Sequence, residues 1–244
     1  MSHLNTHTQI TNVCNMRTMD PGAFVIRDRE TLFRMGDHIN GVYMINSGSV
    51  KLMRTSESGE LQIIGFYMAG ELIGLDALAD GISRTTAVIM ETSNITLIPF
   101  ESIINRDESF DYQAFIQQVG VSFNRDNDHS KILSQCTADR RLAWFLINYS
   151  DNLAKRGLRA NDFRIPMKRA DIASYLGMAV ETLSRELAIM CKKGFIKKNL
   201  RNIELQDIDH LRKIACGSEV AAEHSHNHIG MISTKEKKLL ASVH

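Results

Sequence analysis

Three side chains in the run VETLSRELAIMCK can address the edge of a base pair: Glu181, Ser184 and Arg185. Spaced i, i+3 and i+4, they share one face if the run is helical. Arginine donates two hydrogen bonds to the O6 and N7 of guanine. Glutamate accepts from the amino group of cytosine, and serine serves either role or meets a thymine methyl. The plain alternative is an i, i+4 ion pair between Glu181 and Arg185 on a solvated helix.

The neighbours of this run favour base reading. A helical pattern from Ala170 to Leu176 precedes it across a single glycine, Gly177, and a glycine turn suits the angled pair of a helix-turn-helix. Ala173, Leu176, Val180, Leu183 and Leu187 are placed to pack between the two helices. After the second helix, β-type runs flank KKNLRN as a small basic hairpin. Charge is concentrated here as well. From Arg164 to Arg201 nine basic residues face three acidic ones, a local +6 in a chain of net +1, which leaves −5 to the rest. Such asymmetry points to a polyanion-binding module joined to an acidic one. Lys168, Arg169, Thr182, Lys192, Lys193, Lys197 and Lys198 are the candidate contacts to the phosphate backbone, which position the reader without specifying sequence.

The elements that must carry this head follow from changes of period along the 244 residues. Residues 1–20 are polar and aperiodic and read as a flexible tail. Over 21–108, short apolar alternations are punctuated by glycine, with SESGE as a hairpin, which suggests a closed or sandwiched antiparallel β-unit. Residues 109–136 turn helical. Ile116, Val119, Phe123, Asp126, Ser130 and Leu133 follow the 3-4 spacing of a two-stranded coiled-coil seam, the alternative being a helix packed on its own β-unit. Asp126, if the two helices meet there, weakens pairing by like-charge repulsion and makes the dimer adjustable; a slightly different register places it in solvent instead. Residues 137–216 hold an amphipathic helix ending near Gly157, a connector LRANDFRIP, and the reading head. Residues 217–244 read as a second flexible tail.

Other chemistries find little support. Apolar residues make up 43% and charged residues 23%, an ordinary globular balance. No run of about 18 apolar residues occurs, and the N-terminus has no basic region followed by an apolar core. No membrane association and a cytoplasmic location are expected. Cys14, Cys136, Cys191 and Cys216 are too far apart for a zinc knuckle or disulfide framework. Cys191, among lysines that favour a thiolate, is a candidate redox switch, against a buried inert thiol. HSHNH sets His224, His226 and His228 at alternate positions that can hold a divalent ion, but no carboxylate or cysteine completes a site, so no metal is expected. A cupin-type enzyme needs several histidines and a carboxylate on its strands. The β-unit offers only His38, so no catalysis is expected.

The order of these parts, with RADIASYLGMAVETLSREL as the most specific segment, resembles the CRP/FNR family of bacterial transcription regulators over roughly residues 20–215. GELIGLDAL and ETSNITLIPFESI are similar to its β-roll segments. The resemblance implies an α+β fold: an N-terminal antiparallel β-roll like a cyclic-nucleotide-binding jelly roll, a long central dimerisation helix and a C-terminal winged helix-turn-helix. It implies a homodimer on double-stranded DNA. Val180 with E-x-x-S-R looks like the FNR branch, whose target resembles TTGAT–N4–ATCAA. It implies contact with RNA polymerase, with residues 75–83 (LDALADGIS) as a candidate surface.

The sensing residues of that family are missing here. An FNR-type iron–sulfur cluster needs four thiolates, and this chain has only Cys14 near its N-terminus and Thr96 at the β-roll position. Cyclic AMP is unlikely. The sugar-binding glutamate position falls among Gly74, Leu75 and Asp76. The phosphate-binding pair aligns with Thr85 and Thr86, with Arg84 one place early, either available to another nucleotide or a loop arginine facing solvent. No cofactor is expected, and any effector is left open: a different nucleotide, haem on His38, or none, as in FixK-like members controlled by their abundance.

Overall fold

The computed structural model describes residues 23–105 and 110–217. Most of the two tails, with Cys14, His224, His226 and His228, lies outside the described residues. Among those described, no helix is long and apolar enough to cross a membrane.

The N-terminal part is an antiparallel sheet of six strands: β1 (Ala23–Ile26), β2 (Thr31–Phe33), β3 (Gly41–Thr55), β4 (Leu61–Met68), β5 (Leu72–Ile73) and β6 (Thr86–Pro99). The long strands β3 and β6 pair along most of their length, but their register shifts repeatedly between Ile45 and Val50. Such bulges bend the pair. β1 and β5 attach to one half of it, β2 and β4 to the other, which gives the roll. Gly48 sits in the bend at φ +90°, where a Cβ would lie 2.2 Å from the Ser93 hydroxyl, so only glycine fits. The SESGE hairpin forms as expected, closed by Gly59 N–H donating to the Ser56 carbonyl at 2.9 Å.

Alternation along β3 buries both of its faces. Ile45, Val50 and Leu52 point into the roll with Phe33, Ile89 and Ile95. Val42 and Met44 point the other way, to a second cluster with Ile98, Phe110 and Phe115 beneath the central helix.

A short helix α1 (Phe100–Ile104) leads to the central helix α2 (Tyr112–Gln135), capped by Asp111, whose carboxylate accepts from Ala114 N–H at 2.9 Å. The C-terminal part holds α3 (Ala138–Lys155), β7 (Asp162–Arg164), α4 (Arg169–Tyr175), α5 (Val180–Lys192), β8 (Ile196–Asn199), β9 (Asn202–Leu205) and α6 (Ile208–Cys216). β7 lies in what the sequence marks as a connector: Phe163 is buried between exposed neighbours and pairs with Ile203, completing a sheet ordered β7-β9-β8. Helix α6 buries Leu211 against the same core. Its signal was present as a capping Asp207 and a closing Gly217 at φ +78°.

Candidate nucleic-acid interface

Helix α5 owes its orientation to Leu183, Leu187 and Met190, which are buried among Leu142, Leu146, Ile172, Ala173 and Leu176. That stripe fixes what faces outward. Glu181, Arg185 and Lys192 lie on the opposite side and are exposed, with Ser184 and Thr182 half-buried on the two shoulders. Val180, expected in the packing, is 39% exposed. It is the first residue of α5, rotated away from the core stripe.

The Glu181–Arg185 ion pair of the plain reading does not form. Arg185 Nε instead lies 3.5 Å from Glu186 Oε1, a weak contact for a side chain that is 66% exposed. Among the described residues Glu181 has no ion pair. Two of the three candidate readers therefore present exposed polar groups from a rigid helix. Small, exposed Ala188 extends the same face, a position the base-edge chemistry of the sequence did not single out.

The turn before α5 is held from outside. Gly177 has φ +57°, and the carbonyls of Leu176 and Gly177 each accept from Arg141 Nη1 at 3.0 Å. The same guanidinium donates to Leu133 O and Cys136 O, both at 2.8 Å, and so ties the end of α2 to the reading head. His129 of α2 stacks on Tyr175 of α4 with centroids 3.9 Å apart, and its Nε2 lies 2.8 Å from the Tyr175 carbonyl oxygen. Burial pulls the His129 pKa down and pushes the Tyr175 hydroxyl up.

The head also rests on its own roll. Lys51 Nζ donates to Asp171 of α4 at 2.8 Å, and Ile63 N–H donates to the Ser174 hydroxyl at 3.1 Å. Glu71 sits between two mostly buried arginines, Arg125 of α2 at 3.0 Å and Arg156 beyond α3 at 3.3 Å. Arg125 also covers the Tyr67 ring at 4.0 Å. Burial disfavours its charge, but Tyr67, Glu71 and Asp126 more than offset that, and the guanidinium stays ionised.

Lys168, Arg169, Lys192, Lys193 and Lys197 are all exposed, and Lys198 is half-buried on the inward side of β8. As phosphate contacts they act on any sequence alike. Lys193→Ala is expected to weaken binding to all duplexes equally and to lower the slope of log affinity against log salt by about 1, measured by a salt titration. A loss confined to one sequence would reassign Lys193 to base reading.

The expected seam residues divide. Ile116 and Phe123 are each 66% exposed on α2, and Asp126 is exposed with Arg125 Nε 3.4 Å away. Val119 is half-buried against the cluster that contains Phe115, and Leu133 is half-buried beside Gly177. Both lean toward the rest of their own chain because the inner face of α2 is set by Phe115, Arg125, His129 and Ile132.

In the roll, the Asp76 carboxylate accepts from Arg84 N–H at 2.7 Å and from the hydroxyls of Thr85 at 3.1 Å and Ser83 at 3.4 Å. Arg84 is not free in solvent: its guanidinium forks onto Asp80 at 2.7 and 2.6 Å and holds that carboxyl well below the usual range. Thr96 accepts from Asn46 Nδ2 at 2.7 Å. His38 is exposed and forms a bridge to Ile82. Cys191 falls in the last turn of α5, half-buried against the C-terminal core. Among the described residues no histidine, cysteine and carboxylate cluster could hold a metal.

A bent antiparallel roll, a long linking helix and an outward polar helix on a winged core form the architecture of a DNA-binding regulator. Residues 24–107 match the Cyclic nucleotide-binding domain and residues 140–214 the Crp-like helix-turn-helix domain. Over 192 residues the chain is 35% identical to the Fumarate and nitrate reduction regulatory protein of Escherichia coli (strain K12), covering 78% of this chain and 77% of that protein. The fold matches that of FixK2 from Bradyrhizobium japonicum with a TM-score of 0.71 at 24% identity, over 80% of this chain and 98% of that one. A CRP-family transcriptional regulator from Thermus thermophilus matches with a TM-score of 0.63 at 19% identity, over 79% and 96% of the two chains. The chain belongs to the CRP/FNR family of transcription regulators.

Proposed function

We propose that this regulator binds as a homodimer to a palindrome near TTGAT–N4–ATCAA and controls transcription initiation from there, in the cytoplasm, through contact with RNA polymerase. The observation that carries the target is the outward face of α5, where Arg185 and Glu181 are exposed and not paired with each other. Arg185 supplies the fork for guanine, Glu181 the acceptor for cytosine, and Ser184 the third contact. Ile116 and Phe123 support pairing through α2, since two-fold symmetry sets a pair of recognition helices about 34 Å apart. Residues 75–83 remain the candidate polymerase surface.

The reading includes no resident cofactor. Thr96 engages Asn46 where a fourth cluster thiolate would be needed, and no described cysteine lies in the roll. The backbone N–H and hydroxyls that would have to meet a nucleotide phosphate are bound to Asp76, and Arg84 is bound to Asp80. These residues do not fit a cyclic nucleotide.

The test is binding of the purified protein, in air and without added ligand, to the palindrome and to a scrambled duplex at fixed salt. A preference of about a thousandfold is expected; equal affinities would reject the half-site. Dimerisation is checked by sedimentation of Phe123→Glu. Burying a carboxylate in an apolar seam is expected to raise the dimer dissociation constant roughly a hundredfold or more. A variant that remains as dimeric as the parent would remove α2 from the interface.

A further inference from the structure

A cleft of about 350 Å³ opens between the roll and the small sheet of the C-terminal part. Its two walls carry opposite charge, with Asp28 and Glu91 on the roll and Arg164 and Arg201 across from them. Among the described residues no ion pair joins the walls, and neither guanidinium has an ionic or hydrogen-bonding partner. The base-reading face of α5 uses none of these four groups. Charges that face each other and leave a gap need something to hold them apart, because side chains this long can usually reach a partner of opposite sign.

Each wall is fixed from behind. Glu91 Oε1 accepts from the hydroxyl of Ser49 at 2.6 Å, and Ser49 is buried in the bend of β3. Asp28 lies 3.4 Å from Arg29 Nε. Arg29 itself takes φ +70°, a conformation uncommon outside glycine, and its N–H donates to the Ile89 carbonyl at 3.0 Å. On the far side Arg164 is paired with Asn202, and Ile165 N–H donates to the Arg201 carbonyl at 2.9 Å. The spacing of the walls is set by the Lys51–Asp171 and Ile63–Ser174 contacts between roll and head. Met90, which packs on the C-terminal core, closes the back of the cleft with Pro166 and Tyr149. Burial, and then the charge of Glu91, push the Tyr149 hydroxyl up to about 12, so it stays neutral and donates to the Arg164 carbonyl at 3.3 Å.

Size and charge together select the occupant. Ligand sites commonly measure roughly 300–1,000 Å³, so this one suits a small metabolite. A nucleic-acid strand is excluded by the carboxylates of the roll wall. A simple anion would satisfy the arginines and be repelled by Asp28 and Glu91, and a simple cation would meet the reverse. We propose that the cleft binds a small zwitterion of the ω-amino-acid class. Its carboxylate lies on Arg164 and Arg201, its ammonium on Asp28 and Glu91, and its methylenes pass over Met90 and Pro166. Such a ligand touches roll and head at once and stabilises the arrangement in which they face each other. The site is separate from the Asp76–Arg84 region of the roll and is independent of the DNA target assigned to α5.

The test is titration calorimetry of the full chain, without DNA, against glycine, β-alanine, γ-aminobutyrate, ε-aminohexanoate and L-lysine. This series acts as a ruler for the gap. One chain length is expected to bind best, with a dissociation constant below about 1 mM. The best probe is then blocked at either end. Acetylating its amine or amidating its carboxylate should each weaken binding roughly tenfold or more, as for a lost charged hydrogen bond. Arg164→Gln should weaken the free probe by a similar factor and add little to the loss already seen with the amide. Glu91→Gln should do the same with the acetylated probe. Both side chains are exposed, and glutamine at 91 still accepts from Ser49, so thermal melts should match the parent. Arg201→Gln and Asp28→Asn, also exposed, repeat the two arms if either melt shifts. No binding by any probe at millimolar concentration would overturn the proposal. Binding that is indifferent to these substitutions would place the ligand elsewhere and overturn it as well.

Discussion

Replacing Arg185 by alanine is expected to cost about 1–3 kcal/mol per half-site and to relax preference at one guanine of each. Because a two-fold dimer presents the residue twice, the loss on the intact palindrome is about 2–6 kcal/mol, a fall of roughly thirtyfold or more. The fold should not suffer. Arg185 is largely exposed, its one close partner is Glu186 at 3.5 Å, and exposed pairs of that kind contribute little to stability. Affinity for a scrambled duplex should fall only by what one lost cation explains. The check is a pair of titrations at one salt concentration, on the palindrome and on duplexes with the guanine changed. If the variant loses affinity equally on cognate and scrambled DNA, Arg185 is a phosphate contact and base reading must be sought elsewhere on α5.

The second large effect is expected far from DNA. Glu71 accepts from Arg125 and Arg156 and also from Met68 N–H at 2.7 Å. Glu71→Ala would leave two mostly buried guanidiniums without their shared anion. Breaking a buried pair from one side is strongly destabilising, and a loss of about 3–5 kcal/mol is expected in urea denaturation. Glu71→Gln keeps an acceptor for the two arginines and should lose less. A change below about 1 kcal/mol for the alanine variant would mean that the Tyr67 face and neighbouring carbonyls hold the arginines without it.

The contrast between these two sites explains what could be read in the sequence. The reading head is a local device: spacing within α5, one glycine turn and a basic hairpin lie close together in the chain, and each leaves a mark in composition or period. The roll was legible for a similar reason, because its bends and hairpins demand glycine at positions such as Gly48 and Gly59. Glu71 looked like any turn carboxylate. Its partners stand 54 and 85 positions away, and nothing in Arg125 or Arg156 marks them as buried. Arg141, which joins the end of α2 to the Gly177 turn, read only as part of an amphipathic helix. The helical period of α2 was legible but not its inner side: Val119 and Leu133 keep the 3-4 spacing proposed for a seam yet lean toward the roll and Gly177. Strand β7 was missed because three residues carry too little alternation to show.

Ile63 of β4 belongs to the same apolar cluster as Leu142, Phe145 and Tyr175, and Phe66 packs edge-on against Tyr175 with centroids 5.1 Å apart. The boundary drawn between the β-roll and the C-terminal part is therefore one of sequence patterns, and the apolar core of the C-terminal part crosses it. A fragment beginning at residue 137 would carry the whole reading face and yet open its core to water where the roll had closed it. The helix proposed to touch DNA is in this sense built partly by the other end of the chain, and substitutions on the outer face of β4 are expected to behave in genetic screens like lesions of α5 itself.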